Sequence, residues 1–504
     1  MKKLVGRIIA VIPALGIQIA WYVLLFRFFD SVLQQHLMDL VNVIFSILAV
    51  LFVIALISKR DESSYKLLWA IVIVSMPILG AILYLFLGNK NTGKNLKKQL
   101  KASADELSGS LKQDDSIELI KDKDLRTGQV MGHIADNAGF PVYKNGSAQY
   151  FPFGEKVFES MCEDLRSAKE YIYVEYFIIH GGKFWDTIAD IMVKKAAEGV
   201  DVRVIYDDFG SVTTFSAKDL IEWTKKGLKF SPFNPFLFIR SQLNNRDHRK
   251  ILVIDGKVAY SGGINVGDEY INETHPFGIW KDIGFRITGD AVNSYTYMFV
   301  EFWNAFSKEK ISFKPVAAQA YEADGFIQPY YDSPIRSEHT SNVFFTEVLS
   351  MATDYVWFYT PYLMLGDALF DAFIRAAQRG VDVRIIMPGI PDKKLVFKLS
   401  RSYYRDLINA GVKIYEYDPG FVHAKACIAD DKIAGIGTVN LDYRSLFLHF
   451  ECECIFYEAG IIKALKEDYL KTQSECTQRT IESIKNDPLT RLGNGILRVF
   501  APLM

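Results

Sequence analysis

Within its 504 residues the chain repeats itself, and that repeat constrains the fold more than any other feature. "AKEYIYVEYFII" (168–179) is echoed by "ATDYVWFYTPYL" (352–363), and "AAEGVDVRVIYDDFG" (196–210) by "AAQRGVDVRIIMPGI" (376–390). Each pair encloses an amphipathic stretch, Lys183–Glu198 in the first copy and Ala368–Arg379 in the second. A strand, a helix and then Gly-Val-Asp-Val-Arg opening a second strand is the pattern of a parallel βαβ unit. The period of roughly 180 residues is too long for a solenoid, so the expectation is two duplicated α/β domains. Their expected bounds are 136–315 and 316–504.

A second feature is duplicated inside this frame. "NRDHRKILVIDGKVAYSGGINVGD" (245–268) and "FVHAKACIADDKIAGIGTVNLDYRS" (421–445) each carry a histidine, a lysine, an aspartate and a glycine-rich return. In the first copy these are His248, Lys250, Asp255, Gly262, Gly263 and Asn265; in the second, His423, Lys425, Asp430, Gly437, Thr438 and Asn440. The offsets from the histidine are the same in both: two, seven, fourteen, fifteen and seventeen. On a strand, residues two apart share a face, so each histidine is expected beside its lysine. Asp255-Gly256 and Asp430-Asp431 read as hairpin turns, and the glycines after them permit close approach of backbone to a ligand.

One histidine on a strand is more often structural than catalytic. Two identical sets at equivalent places in duplicated domains are a different matter. If the halves meet about a pseudo-twofold axis, one pocket holds two imidazoles, two ammonium groups and two amides. Such a set suits a phosphodiester. The lysines and asparagines neutralise and orient its nonbridging oxygens, one histidine attacks phosphorus, and the other serves the leaving alcohol. Asp255 and Asp430 stand where hairpin turns favour aspartate, so a structural role competes with a catalytic one. His36, His133, His180, His275, His339 and His449 have no echo and read as bystanders, with His449 beside Glu451 the least settled. No His-Glu-x-x-His or paired-cysteine pattern points to a metal, and no cofactor is expected.

Composition adds the surroundings. Half the chain is hydrophobic, and the excess gathers at the start, in Ile8–Phe26, Val41–Ile57 and Leu68–Leu87. A helix needs about 20 apolar residues to cross a bilayer, so residues 1–90 are expected to form a transmembrane region of two to three helices. The first stretch is also weighed as a signal peptide, but bulky Trp21 and Tyr22 follow it where a cleavage site needs small residues. A cationic tract follows the third stretch (Lys90, Lys94, Lys97, Lys98, Lys101) and favours a cytoplasmic position for what comes after it. Residues 91–135 read as a charged linker with some helix. "KFSPFNPFLFIR" (229–240) is aromatic and proline-rich, unlike a buried strand, and suggests a lip toward lipid or an ordinary packed loop. The tail "TRLGNGILRVFAPLM" (490–504) is expected to be amphipathic. A net charge of −1 argues against bulk electrostatic binding to nucleic acid, and five scattered cysteines suit a reducing compartment.

His-x-Lys-x4-Asp followed by Gly-Gly/Thr-x-Asn, twice in one chain, resembles the phospholipase D superfamily. Within it, the bacterial cardiolipin synthases are more similar still. That likeness extends to "WAIVIVSMPILGAILYLFLG" (69–88), "VEYFI" (174–178), "NNRDHRK" (244–250), "GIWKDIGFRITGDAV" (278–292), "TPYL" (360–363) and "APLM" (501–504), nearly the whole chain. The resemblance implies two phospholipase D-like domains about a pseudo-twofold axis behind an N-terminal membrane region, in a multi-pass protein of the bacterial cell membrane. It implies transfer of a phosphatidyl group between two phosphatidylglycerol molecules, giving cardiolipin and glycerol through a phosphohistidine. Carried over by position, His248, Lys250, Asp255, His423, Lys425 and Asp430 are the catalytic set, with the nucleophile role on His248. Asn265, Asn440, Gly263 and Thr438 fall to substrate binding. Thr438 stands where many relatives have serine, and a hydroxyl is kept. Open beside this reading are a membrane phospholipase D that hydrolyses the same lipids, a synthase using phosphatidylethanolamine as co-substrate, a nuclease and an inactive membrane scaffold. The expected partners are phosphatidylglycerol and membrane lipids, no nucleic acid, and a further copy of the chain in a homo-oligomer.

Overall fold

In a computed structural model of the protein, residues 32–59, 61–88, 94–235, 244–317, 324–336, 338–484 and 487–503 are described. The chain divides into two compact units. One comprises residues 1–91, 236–244 and 495–504; the other comprises 92–235 and 245–494 and holds both sheets.

The repeated Gly-Val-Asp-Val-Arg works through its glycine. Helices Lys183–Ala197 and Asp367–Gln378 run out two residues before Gly199 and Gly380, which adopt φ of +96° and +93°. That left-handed turn is strained for any residue with a Cβ, and it reverses the chain straight into the next parallel strand.

The first sheet contains β1 (Gly146–Phe151), β2 (Tyr171–Tyr176), β3 (Asp201–Asp207), β4 (Lys229–Phe233), β5 (Lys250–Ile254), β6 (Val258–Gly262) and β8 (Gly284–Gly289). The second contains β9 (Phe326–Asp332), β10 (Tyr355–Tyr359), β11 (Asp382–Pro388), β12 (Lys413–Tyr417), β14 (Ala426–Ala429), β15 (Ile433–Gly437), β16 (Glu451–Tyr457) and β17 (Cys476–Arg479). Their orders are β1-β8-β6-β5-β2-β3-β4 and β9-β16-β15-β14-β10-β11-β12-β17. Position by position these are the same sheet, extended in the second copy by β17. β2-β3-β4 and β10-β11-β12 pair in parallel; the β5–β6 and β14–β15 hairpins pair antiparallel beside them. Two short strands, β7 (Ile279–Lys281) and β13 (Gly420–Val422), join the copies in a parallel ribbon.

Both hairpin aspartates hold backbone in place. Asp255 and Asp430 take φ of +53° and +52° at the turn. The Asp255 carboxylate accepts from the N–H groups of Lys169, Glu170 and Tyr171 at 2.7–2.9 Å. Asp430 accepts from those of Thr353, Asp354 and Tyr355 at 2.7–2.9 Å. Each therefore pins its hairpin to the start of the central strand.

Several expectations need correcting. Among the described residues no helix is long and apolar enough to cross a membrane, so the expected transmembrane region and multi-pass topology do not stand. The third apolar stretch is broken at Met76-Pro77 into helices Ser63–Ser75 and Pro77–Leu83 and a π-turn Tyr84–Gly88. These pieces fold on one another, with the Trp69 and Tyr84 rings edge to face at 5.3 Å. The second stretch lies in helix Val32–Ile57, whose first turns carry Gln34, Gln35, His36 and Asp39. Ile8–Phe26 lies outside the described residues. Residues 91–135, expected as a charged linker with some helix, hold helices Lys94–Leu107 and Ser116–Lys123 and most of Leu125–Ala138. They dock through Ser103 Oγ, which donates to the Glu301 carbonyl, and through Gln328 Nε2, which donates to the Met131 and Phe140 carbonyls. Lys229–Phe233, expected not to be a buried strand, is a half-exposed strand at the sheet edge, β4, where Pro232 needs no ladder N–H. The rest of that expected lip, 236–240, lies outside the described residues.

Removing three hydrogen bonds to one buried carboxylate should cost about 1–3 kcal/mol. Asp255→Ala is therefore expected to lower the denaturation midpoint while the protein that remains folded keeps most of its turnover. A large loss of kcat at unchanged stability would return Asp255 to the chemistry.

Candidate active site

The two histidines are aimed by their neighbours before any ligand arrives. Neither lies on the long strand that follows it: β5 begins at Lys250 and β14 at Ala426. Instead their backbones bond to the opposite half. His248 N–H donates to the Phe450 carbonyl at 2.8 Å, and His423 N–H to the Lys281 carbonyl at 2.7 Å. Around His248 the chain is anchored by two fully buried arginines. Arg246 Nη1 donates to the Asn234 carbonyl at 2.8 Å. Arg249 Nε donates to Asp247 at 2.9 Å, its guanidinium pairs with Glu175, and it lies 3.5 Å from the Phe302 ring centre.

The side chains cross between halves as well. His248 Nδ1 lies 2.8 Å from Glu451 Oε2, and His423 Nδ1 lies 2.6 Å from Asp282 Oδ2. All four groups are buried. Lys250 Nζ donates to the His248 carbonyl at 2.5 Å, and Lys425 Nζ donates to the His423 carbonyl. Lys425 Nζ also stands 2.8 Å from His423 Nδ1. An ionised Asp282 accepts only, so Nδ1 carries the proton, the ammonium is held by the carbonyl, and Nε2 is left bare.

The charges are unequal on the two sides. Burial and the Lys250 and Lys425 ammonium groups hold His248 well below its ordinary value. Burial and Lys425 bring His423 down to about 4, against the pull of Asp282. Burial likewise lowers Lys250 to about 8 and Lys425 to about 7. Burial lifts Asp282, but His423 and Lys425 more than offset it, so its carboxylate stays ionised. Glu451 goes the other way: burial pushes it to about 8, despite Lys250. At neutral pH the pocket therefore holds cationic lysines close to losing their protons, neutral imidazoles, one carboxylate and one carboxylic acid. Two ammonium groups against one carboxylate suit a further anion.

Asp282 and Glu451 escape a motif search because they lie 34 and 28 residues after their own half's histidine and serve the other half's. The visible signal is an acidic residue at or just before the equivalent strands β8 and β16. Gly263 and Thr438 stand behind these carboxylates. A Cβ at Gly263 would lie 2.1 Å from Asp282 Oδ1, and Thr438 Oγ1 donates to Glu451 Oε2 at 2.5 Å. Asn265 is fully engaged, its Nδ2 donating to Tyr270 Oη at 2.8 Å and its Oδ1 accepting from Ile178 N–H at 3.3 Å. Asn440 donates to Asp442, and its buried Oδ1 has no partner among the described residues. His449, a bystander by sequence, has its ring 6.3 Å from that of His248, and burial lowers it to about 3, so it is neutral.

The family model described as "Cardiolipin synthase, PLD-like domain" matches residues 161–280 and 345–472, and "Phospholipase_D-nuclease N-terminal" matches 44–89. An uncharacterized protein of Streptococcus mutans is 40% identical over 90% of this chain and 99% of its own. A cardiolipin synthase of Staphylococcus aureus is 33% identical over 94% and 99%, and one of Alkalihalophilus pseudofirmus 31% over 94% and 95%. Among solved structures, phosphatidylserine synthase of Haemophilus influenzae aligns with a TM-score of 0.58 at 14% identity, covering 74% of this chain and 99% of that one.

Replacing Asp282 by Asn keeps the shape but removes the charge that fixes the His423 tautomer. Turnover is expected to fall about 10²–10⁴-fold with the fold retained. A fall of less than tenfold in the steady-state rate would show that Asp282 only packs.

Proposed function

The chain belongs to the cardiolipin synthase family of phospholipase D-like proteins, and from that premise we propose how its residues divide the work. It is a phosphatidyltransferase, and its substrates in this reading are two molecules of phosphatidylglycerol. What supports the reading is the crossed arrangement of imidazoles and carboxylates around two buried ammonium groups.

The phosphodiester of the first lipid enters with its nonbridging oxygens toward Lys250 and Lys425, which its charge keeps protonated. His248 Nε2 attacks phosphorus while its Nδ1–H donates to an ionised Glu451. The bond from phosphorus to the glycerol oxygen breaks, and His423 Nε2 supplies the proton that glycerol takes away. His423 holds that proton because the bound anion offsets the lysine charges that otherwise depress it. The terminal hydroxyl of a second phosphatidylglycerol then replaces glycerol. His423 takes its proton, its oxygen attacks phosphorus, and the bond to His248 breaks to release cardiolipin. The unpartnered Oδ1 of Asn440 suits the hydrogen of such an alcohol. Asp255 and Asp430 take no part.

The role assignment has a pH consequence. Below about 8 Glu451 keeps its proton and donates it to His248 Nδ1, which leaves the imidazole proton on Nε2 and blocks attack. With lipid saturating, kcat should therefore rise with pH through about 8, and Glu451→Gln should abolish that rise. Acid-quenched protein should carry the phosphatidyl group on the peptide containing His248. A kcat that falls through the same range, with the adduct on His423, would reverse the roles. His248→Ala and His423→Ala should each abolish turnover in folded protein, and a single variant with near-normal rate would end the one-site reading.

Transfer and hydrolysis differ only in the acceptor. The bonds broken and made in transfer are both phosphate esters of primary alcohols, so the exchange is close to neutral and needs no nucleotide. Added glycerol should drive it backwards. In vesicles of phosphatidylglycerol, cardiolipin should exceed phosphatidate, since the buried pocket admits lipid hydroxyls in preference to water. Phosphatidate as the main product would favour the hydrolase.

A further inference from the structure

The ribbon of β7 and β13 has two ends with different character. At one end are Asp282 and His423. At the other, Ile279 pairs with Gly420, three residues before Asp282 and His423 respectively. At about 3.3 Å per residue in an extended strand, the two ends are about 10 Å apart. The outer end is apolar and open to solvent: Ile279 and Ile390 are each 41% exposed, and Leu395, five residues after Ile390, is 53% exposed. Ile390 is held against this ribbon, since its N–H donates to the Gly420 carbonyl at 3.1 Å, and its Cδ1 would lie 3.2 Å from a Cβ at Gly278.

Cations follow Ile390 closely in the chain. Lys393, Lys394 and Lys398 are exposed at the start of helix Lys394–Asn409. Lys393 Nζ lies 4.9 Å from the centre of the Tyr362 ring and donates to Tyr362 Oη at 3.0 Å. Tyr362 leads inward to Phe421 at 6.4 Å between ring centres, and Phe421 to His423 at 6.0 Å. An aromatic path thus joins the exposed patch to the catalytic imidazole.

We infer that Ile279, Ile390 and Leu395, with Lys394 and Lys398 around them, form the surface on which the protein rests on an anionic phospholipid bilayer while it draws a headgroup into the pocket. The inference rests on the phosphatidyltransferase reading and names the surface that reading needs. Distance and charge both favour a bilayer as the occupant. The headgroup layer of a leaflet is about 5–8 Å deep, so a patch about 10 Å from His423 brings the pocket to a phosphate lifted slightly from its plane, with acyl chains still in the membrane. Exposed apolar side chains ringed by lysines match an anionic interface, where each lysine is worth a few-fold in binding. A protein partner would need no such proximity to the reacting phosphate.

The test compares the whole protein on two forms of one substrate: phosphatidylglycerol vesicles, and short-chain phosphatidylglycerol kept below its micelle concentration. The paired change Ile390→Glu with Leu395→Glu should lower turnover on vesicles at least tenfold and leave it unchanged on the monomeric lipid. Lys394→Gln with Lys398→Gln should flatten the fall of vesicle turnover with added salt. Unchanged vesicle turnover, or equal losses on both substrates, would overturn the inference. So would a self-associated protein that the Glu pair renders monomeric, since the patch would then bind a second copy. A fluorophore placed on Ile390→Cys, against a labelled unsubstituted control, reads the surface independently of turnover. Its emission should shift to the blue on adding anionic vesicles. If neither substrate is turned over, that shift still separates failure of the surface from failure of the synthase reading.

Discussion

The rest of the structure depends on a crossing: each half supplies a histidine and the carboxylate that orients the other half's histidine. His248 pairs with Glu451 and His423 with Asp282, so neither repeat contains a site by itself. The requirement reaches into the backbone. The hydrogen bonds from His248 to Phe450 and from His423 to Lys281 set the register between the halves before the side chains meet. The same boundary is stapled beneath by Lys281, whose buried ammonium bonds both oxygens of Asp468 at 2.7 and 2.8 Å and the Pro152 carbonyl at 2.6 Å. Breaking such a buried pair by removing one partner typically costs about 3–5 kcal/mol. Because Lys281 immediately precedes Asp282, a disturbance there would be felt first by the His423 imidazole.

Burial is what shifts the titration of these groups, and also what makes them costly to hold. Two lysines kept out of water sit at about 8 and about 7, so the empty pocket only just retains its positive charge. A phosphodiester anion repays that desolvation by direct contact. Its tightest complement is the state in which negative charge on phosphorus oxygens is greatest, which is how a preformed cationic pocket favours the transition state over the ground state. The arginines beside His248 serve a different end. Arg249 pairs with Asp247 and Glu175 and lies against an aromatic face, contacts that hold the loop before His248 in place.

Much of this was legible in the sequence, and the reasons for the failures are physical. Equal offsets from each histidine predicted the two hairpins, and Gly-Val-Asp-Val-Arg predicted the parallel strands, because both are local patterns whose spacing the backbone itself imposes. Asp282 and Glu451 were not legible because their partners lie across the repeat, where the loop lengths differ between copies. The identical spacing of Asp255 and Asp430 grouped them with the chemistry, yet spacing alone does not separate a turn staple from a catalyst. Hydropathy overcounted membrane spans for a related reason. A run such as Leu68–Leu87 is equally apolar whether it spans a bilayer or folds back at Met76-Pro77 onto Trp69 and Tyr84, and only the break in the helix tells the two apart.

Symmetry of topology does not extend to symmetry of protons, and the difference traces to single residues. On the His423 side, Asp282 is close to both its histidine and Lys425 and accepts the Ile283 N–H at 2.9 Å; it stays charged. On the His248 side, Glu451 reaches its histidine from a strand whose next inward-facing residue is Glu453, also buried, with neither carboxyl oxygen partnered among the described residues. Two carboxyl groups on one strand face cannot both ionise cheaply in a dry interior, and their mutual repulsion adds to the burial that lifts Glu453 well above the carboxylate range. Glu451 itself is lifted to about 8 by burial, with Asp442 adding to it against Lys250, so the side bearing the acid is tuned differently from the side bearing the carboxylate. A reaction in which one imidazole attacks and the other shuttles a proton requires such inequality, since two identical pockets would compete for the same step. The two copies supply the pair, and the differing surroundings of Asp282 just before β8 and of Glu451 on β16 give each member its separate protonation state.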